Sequence, residues 1–149
     1  MHTEKLFDVF ISHAFRERDL VDQLARALEA QGLKVFLPER DIQPGEDIVD
    51  AIDRAMAESR YTLLIISPAF LDSQWANFET GVALSRARSH RMQIIPVLTA
   101  GVAATALPFG MKGKIHLDAT DMNVNELSLQ LSRIFADLQG KAAPVVGTD

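Results

Sequence analysis

Short runs of β-branched, aromatic and leucine residues alternate along the chain with stretches whose apolar side chains return every three or four positions. The run FDVFIS over 7–12 predicts a buried strand. Leu20, Val21, Leu24, Ala25 and Leu28 then keep a helical period, and Gly32 stands where a left-handed C-terminal cap is expected. LKVFL over 33–37 predicts a second strand, while PERDIQPGED over 38–47, with two prolines and a glycine, predicts a long charged loop. Helical spacing resumes from Ile48 through Ile52, Ala55 and Met56. It gives way to YTLLII over 61–66, apolar on both faces and therefore expected at the centre of a sheet.

A loop is expected over 67–74, then a helix carrying Trp75, Phe78, Val82 and Ala83, with Asp72 or Ser73 as its N-cap. QIIPVL over 93–98 predicts a fourth strand, and Pro96 within it predicts a place near the sheet edge or a bulge. Residues 99–112 read as a loop with a short helix, 114–117 as a fifth strand, and Leu127, Leu131, Ile134, Phe135 and Leu138 mark a last helix. The tail KAAPVVGTD has linker composition, so the domain is expected over 1–139 and a flexible tail, or a linker to a further domain, over 140–149. Strands alternating with helices require a parallel sheet covered on both faces by right-handed crossovers. The expected fold is α/β and flavodoxin-like, with five parallel strands in the order 2-1-3-4-5. Ligands of such sheets sit beyond the carboxyl ends of the strands, which places chemistry at Ser12-His13, at 38–46 and at 67–75.

Composition narrows the function. The 149 residues, 48% apolar and 23% charged, match one ordinary globular domain. Twenty acidic against 15 basic residues give a net charge of -5, so counterion release from a phosphate backbone would return little and nucleic acid is not an expected partner. Cysteine is absent, which excludes disulfides, thiolate metal sites and thiol nucleophiles and fits a cytoplasmic location. No apolar run approaches the roughly 20 residues that span a bilayer, and the opening residues do not form a signal peptide, so no membrane association is expected. GxGxxG, Walker A, GxSxG and HExxH motifs are all missing, and no metal site is expected. A response-regulator receiver would need an Asp ending its third strand and an acidic pair after its first, where this chain has Ser67-Pro68 and Ser12-His13.

DVFISHA over 8–14, RDIQPGEDI over 40–48 and SRYTLLIISPAFLDSQWANFE over 59–79 stand in order at three strand ends. Together they resemble the Toll/interleukin-1 receptor (TIR) domain: its box 1, its box 2 or BB loop with an RDxxPG core, and the third strand followed by the WxxxE element. The resemblance covers nearly the whole chain, 7–139. The Phe-Trp pair of box 3 is missing, and Leu107-Pro108-Phe109 is the nearest counterpart. Many bacterial members of this family cleave NAD+ at the nicotinamide glycosidic bond, with the Glu of WxxxE essential. The resemblance therefore implies Glu79 as the catalytic residue, NAD+ as substrate, and no separate cofactor. It further implies self-association through Arg40, Asp41, Pro44 and Gly45, activation by TIR–TIR assembly, and a role in bacterial immune or antiphage signalling with a sensor domain or partner protein. Receptor members act as scaffolds, which leaves a non-enzymatic adaptor or a mimic of host TIR domains as the alternative.

Read by themselves, these residues carry two meanings each. Glu79 lies about 40° around a helix from Trp75 and about 60° from Val82, beside the apolar stripe. It is either a first-turn Glu favoured by the helix dipole or a carboxylate placed to stabilise an oxocarbenium-like cation. Because the leaving group is already a pyridinium, one carboxylate suffices. Trp75 packs the core or shapes a pocket. Ser12 and His13 are candidates to contact substrate, although a Ser ending a strand commonly caps a turn. Phe36 and Leu37 would line the nucleotide pocket if the family pattern holds, whereas their own chemistry favours the core. Arg40 and Asp41 read as an internal ion pair worth ~0–1 kcal/mol or as an association surface. Arg86, Arg88, His90 and Arg91 are best explained as cations complementing a helix C-terminus.

Overall fold

The computed structural model describes residues 6–72, 93–99, 101–103 and 116–142. In chain order these form β1 (Phe7–Ser12), a 3-10 turn (Phe15–Glu17), α1 (Arg18–Ala30), β2 (Val35–Phe36), α2 (Pro38–Asp41), α3 (Ile48–Ala57), β3 (Ser59–Ile66), α4 (Pro68–Asp72), β4 (Gln93–Leu98), β5 (Leu117–Asp118) and α5 (Val124–Ala142). The strands make one parallel sheet in the order β2-β1-β3-β4-β5, the flavodoxin-like order expected.

Alternation along the inner strands divides the core in two. Val9, Ile11, Leu63, Ile65, Ile95 and Val97 face α1 and α5, packing on Leu24, Leu28, Leu131 and Phe135. Phe10, Leu64, Ile66, Ile94 and Leu98 face the other way, against Met56 of α3 and Phe70 of α4. Strands buried on both faces read as continuous apolar runs, which is why 61–66 stood out. Tyr61 stacks on Phe135 at 4.7 Å and 8°, joining β3 to α5.

Local chemistry sets the element ends. Gly32, at φ +90, turns the chain out of α1 while its N–H and that of Leu33 return to the carbonyls of Glu29 and Leu28. Asp47 caps α3 by accepting from the Asp50 N–H at 3.0 Å, and the Ser59 hydroxyl donates to the Ala55 carbonyl at 2.7 Å where α3 gives way to β3.

The structure corrects several expectations. Residues 38–47 are not all loop, because Pro38 occupies the first turn of α2, where its missing N–H costs nothing. Residues 67–74 likewise include the short helix α4. Pro96 meets its expectation: β4 stands next to the edge strand β5, and pairing with β5 begins only at Val97, just beyond the proline. The second strand contracts from 33–37 to Val35–Phe36, and the fifth, expected over 114–117, reaches Asp118 in its described part, Leu117–Asp118, with 114–115 outside the described residues. The last helix runs on through Gly140 to Ala142.

Candidate functional site

Parallel strands end together, so β1, β2 and β3 deliver Ser12-His13, Leu37 and Ser67 to one edge of the sheet. Ser12 pairs with Leu64 in the β1–β3 register and is 2% exposed. Its Oγ is buried and finds no hydrogen-bond partner among the described residues. An unpaired buried hydroxyl costs free energy, so its place at the carboxyl edge of a central strand marks it as a functional candidate.

His13 follows in a different environment. Its side chain is 6% exposed, with Nδ1 2.8 Å from the Ala14 carbonyl and Nε2 2.7 Å from Oε2 of Glu39, the second residue of α2. A carbonyl only accepts, so Nδ1 carries a proton, and with Glu39 ionised Nε2 carries one as well, which makes the ring an imidazolium in that state. Burial opposes that charge, but the Glu39 hydrogen bond, the Ala14 carbonyl and the charges of Glu39 and Glu17 outweigh it and raise the His13 pKa. For Glu39, burial works against ionisation, and the hydrogen bond and charge of His13, a backbone N–H and the Arg40 charge prevail to lower its pKa.

Glu17, in the turn after β1, reaches the β3 side. Its Oε1 accepts from the Ser67 hydroxyl at 2.6 Å, and Ser67 Oγ accepts from the Phe70 N–H at 3.0 Å, capping α4. Trp75 and Glu79 follow α4 in the sequence. Both of those residues lie outside the described residues, as do Arg86, Arg88, His90, Arg91 and the segment 107–109.

The 38–47 segment is fastened from inside. Arg40 donates from Nη2 to the Val35 carbonyl at 2.9 Å, from Nη1 to Glu29 at 3.2 Å, and from Nε to Asp41 at 3.0 Å. Asp41 in turn accepts from the Leu37 N–H at 2.9 Å. Bonding to Asp41, more than the cost of burial, keeps Arg40 firmly protonated. The Arg–Asp pair thus holds α2 onto α1 and β2. Pro44 and Gly45 are exposed at a turn in which the Glu46 N–H meets the Gln43 carbonyl at 3.1 Å. Gly45 supplies φ +90, the arrangement of a type II turn. Arg54 Nη2 holds Glu46 at 2.9 Å from α3.

Phe36 and Leu37 are core residues. Phe36 stacks on Phe10 at 5.7 Å and meets Phe7 edge-on at 5.2 Å, and Leu37 joins the opposite cluster. Glu39, Glu17 and Ser67 were not singled out from sequence, because their partners lie 26 and 50 residues away. The one local signal was Pro following Leu37 and Ser67, a helix-start pattern. Among the described residues, no group of three or more acidic or histidine side chains could hold a metal ion, and no helix is long and apolar enough to cross a membrane.

The family model for the TIR domain matches residues 9–132. A relative described as the NAD(+) hydrolase PdTIR of Paracoccus denitrificans is 28% identical over 134 residues, 87% of this chain and 44% of its own length. The 2' cyclic ADP-D-ribose synthase AbTIR of Acinetobacter baumannii is 26% identical over 135 residues, covering 89% of this chain and 50% of its own. This chain therefore spans half or less of the length of either. A solved metazoan TIR-STING receptor from C. gigas, in complex with 2',3'-cGAMP, superimposes with a TM-score of 0.74 at 26% identity, over 89% of this chain and 41% of that one.

Proposed function

We propose, on the premise that this chain belongs to the TIR domain family, that it is a nicotinamide-releasing NAD+ hydrolase or cyclase activated by self-assembly. The observation that carries the reading is the Ser12 hydroxyl, buried and without a partner among the described residues at the carboxyl edge of the inner strand β1. Its likeness to a bacterial NAD(+) hydrolase and a cyclic ADP-D-ribose synthase supports the same substrate here. In this reading Ser12 bonds the nucleotide and Glu79 stabilises the cation that forms as the ribose C1–nitrogen bond breaks. The bonding pair leaves with nicotinamide, which departs neutral and needs no strong general acid. Water capturing the cation gives ADP-ribose, and an internal hydroxyl gives a cyclic product. Trp75 packs the pocket, His13 orders its rim, and the exposed Pro44–Gly45 turn joins protomers. The setting is bacterial immune or antiphage signalling in the cytoplasm, with a sensor domain or partner protein supplying the trigger.

The test is nicotinamide release from NAD+ at high protein concentration, with crowding agent, by the parent and by Glu79→Ala. Release by the parent alone, with the variant folded, upholds the reading. No release from visibly assembled parent overturns it in favour of a non-enzymatic scaffold, adaptor or mimic acting through TIR–TIR contacts. The likeness to a receptor supports that second reading.

A further inference from the structure

We infer that His13 and Glu39 form a proton-operated latch that holds the start of the 38–47 segment against the carboxyl end of β1. The geometry makes the bond conditional on charge. Both ring nitrogens face oxygens, so with Glu39 ionised the arrangement satisfies every partner only when the ring is doubly protonated. Should His13 become neutral, one ring nitrogen loses its hydrogen and must face an acceptor oxygen without one. The ring is 6% exposed, so water cannot readily replace the lost bond, whereas Glu39 is 45% exposed and free to swing into solvent.

Charged groups on each neighbouring element act on the pair. Among the described residues, His13 meets Glu39 from α2 and Glu17 from the 3-10 turn, and Glu39 also meets Arg40 of its own helix. The Glu39 bond accounts for the strongest of the influences that keep His13 charged against the cost of burial. Because the folded pKa of His13 is raised, the latch is complete below the ordinary histidine range and is lost as pH rises through that folded value. Because the folded pKa of Glu39 is lowered, the latch is also lost on the acid side, as pH falls through it.

The consequence is local. Helix α2 has a single turn, with the N–H groups of Arg40, Asp41 and Ile42 bonded to the carbonyls of Leu37 and Pro38. Arg40 ties it to α1 and β2, while Glu39 ties it to His13 just after β1. Releasing Glu39 removes the tie between α2 and the residue after Ser12 and loosens the approach to the proposed site, with the Arg40 anchor intact. The latch deepens the proposed function by giving the site a regulator. It does not require NAD+ cleavage, so the two readings can fail separately.

The test is NMR of the chain with labelled histidine, followed by amide exchange across the same pH range, corrected for the intrinsic rate, in the parent and in Glu39→Gln. The expected result is a His13 pKa above the ordinary histidine value in the parent and lower in the variant. Protection of the Arg40, Asp41 and Ile42 amides should fall in the parent along the His13 titration curve. It should be reduced and independent of pH in the variant, while the Gly32 amide in the α1 cap stays constant in both. A His13 titration that Glu39→Gln leaves unmoved, or α2 protection that stays flat through the parent's His13 titration, overturns the inference.

Discussion

Replacing Ser12 by alanine separates folding from function in opposite directions. Ser12 is 2% exposed and its hydroxyl is unpaired among the described residues. Folding therefore strips that hydroxyl of water without a replacement bond, at a cost of about 1–3 kcal/mol on protein mutational scales. Alanine keeps the β-carbon and removes the stranded oxygen, leaving a gap smaller than a methyl group beside Leu64 in the neighbouring strand. A small cavity term of about 0.5 kcal/mol offsets part of the gain. Ser12→Ala is thus expected to stabilise the fold by about 1 kcal/mol. At ~2–4 °C per kcal/mol for a domain near this length, calorimetry should find Tm raised by about that interval. If the hydroxyl bonds a nucleotide, the same variant should raise KM for NAD+ by about fivefold to tenfold, the worth of one neutral hydrogen bond. A variant less stable than the parent by 1 kcal/mol or more refutes the reasoning, since only a satisfied hydroxyl would be missed in that way.

Further expectations concern the scaffold. Phe135→Ala removes the ring stacked on Tyr61 and should cost about 3–5 kcal/mol in urea unfolding. A double-mutant cycle with Tyr61→Leu should return about 0.5–1.5 kcal/mol of that as ring coupling, and zero coupling would mean that the rings merely fill space. Arg40→Ala breaks the ties to Glu29, Asp41 and the Val35 carbonyl, should cost about 1–2 kcal/mol, and should make the 38–47 segment the first site of limited proteolysis; an unchanged digestion pattern would show that the segment is held elsewhere.

Runs that stay apolar through a strand were readable residue by residue. The first strand at 7–12 and the fourth at 93–98 are found at those bounds, and the order 2-1-3-4-5 follows from strand–helix alternation. Helices α2 and α4 were hidden because proline was read as a breaker, although Leu37-Pro38 and Ser67-Pro68 place it where a helix tolerates it. Pro96 was legible as a mark of nearness to the sheet edge, but that the edge strand's pairing begins just beyond it is a tertiary fact. At the site, Ser12 and His13 were legible from their place at a strand end. The bonds His13–Glu39 and Glu17–Ser67 were not, because topology creates them and no local spacing encodes them. Glu79 and Trp75 still rest on the resemblance of their motif.

The register of β1 has a cost during synthesis. Phe7 pairs with Ser59, 52 residues later in the chain, and at ~5–20 residues per second a ribosome takes roughly 3–10 s to cover that distance. For that interval a strand apolar on both faces has at most the two-residue β2 to pair with, and α1 to shelter one side. Contacts this distant in sequence also slow folding once the chain is complete. The nascent chain is therefore most prone to aggregate, and most in need of a chaperone, before 59–66 is made. Fragments ending between α1 and β3 should accumulate as insoluble material even where the whole domain is soluble.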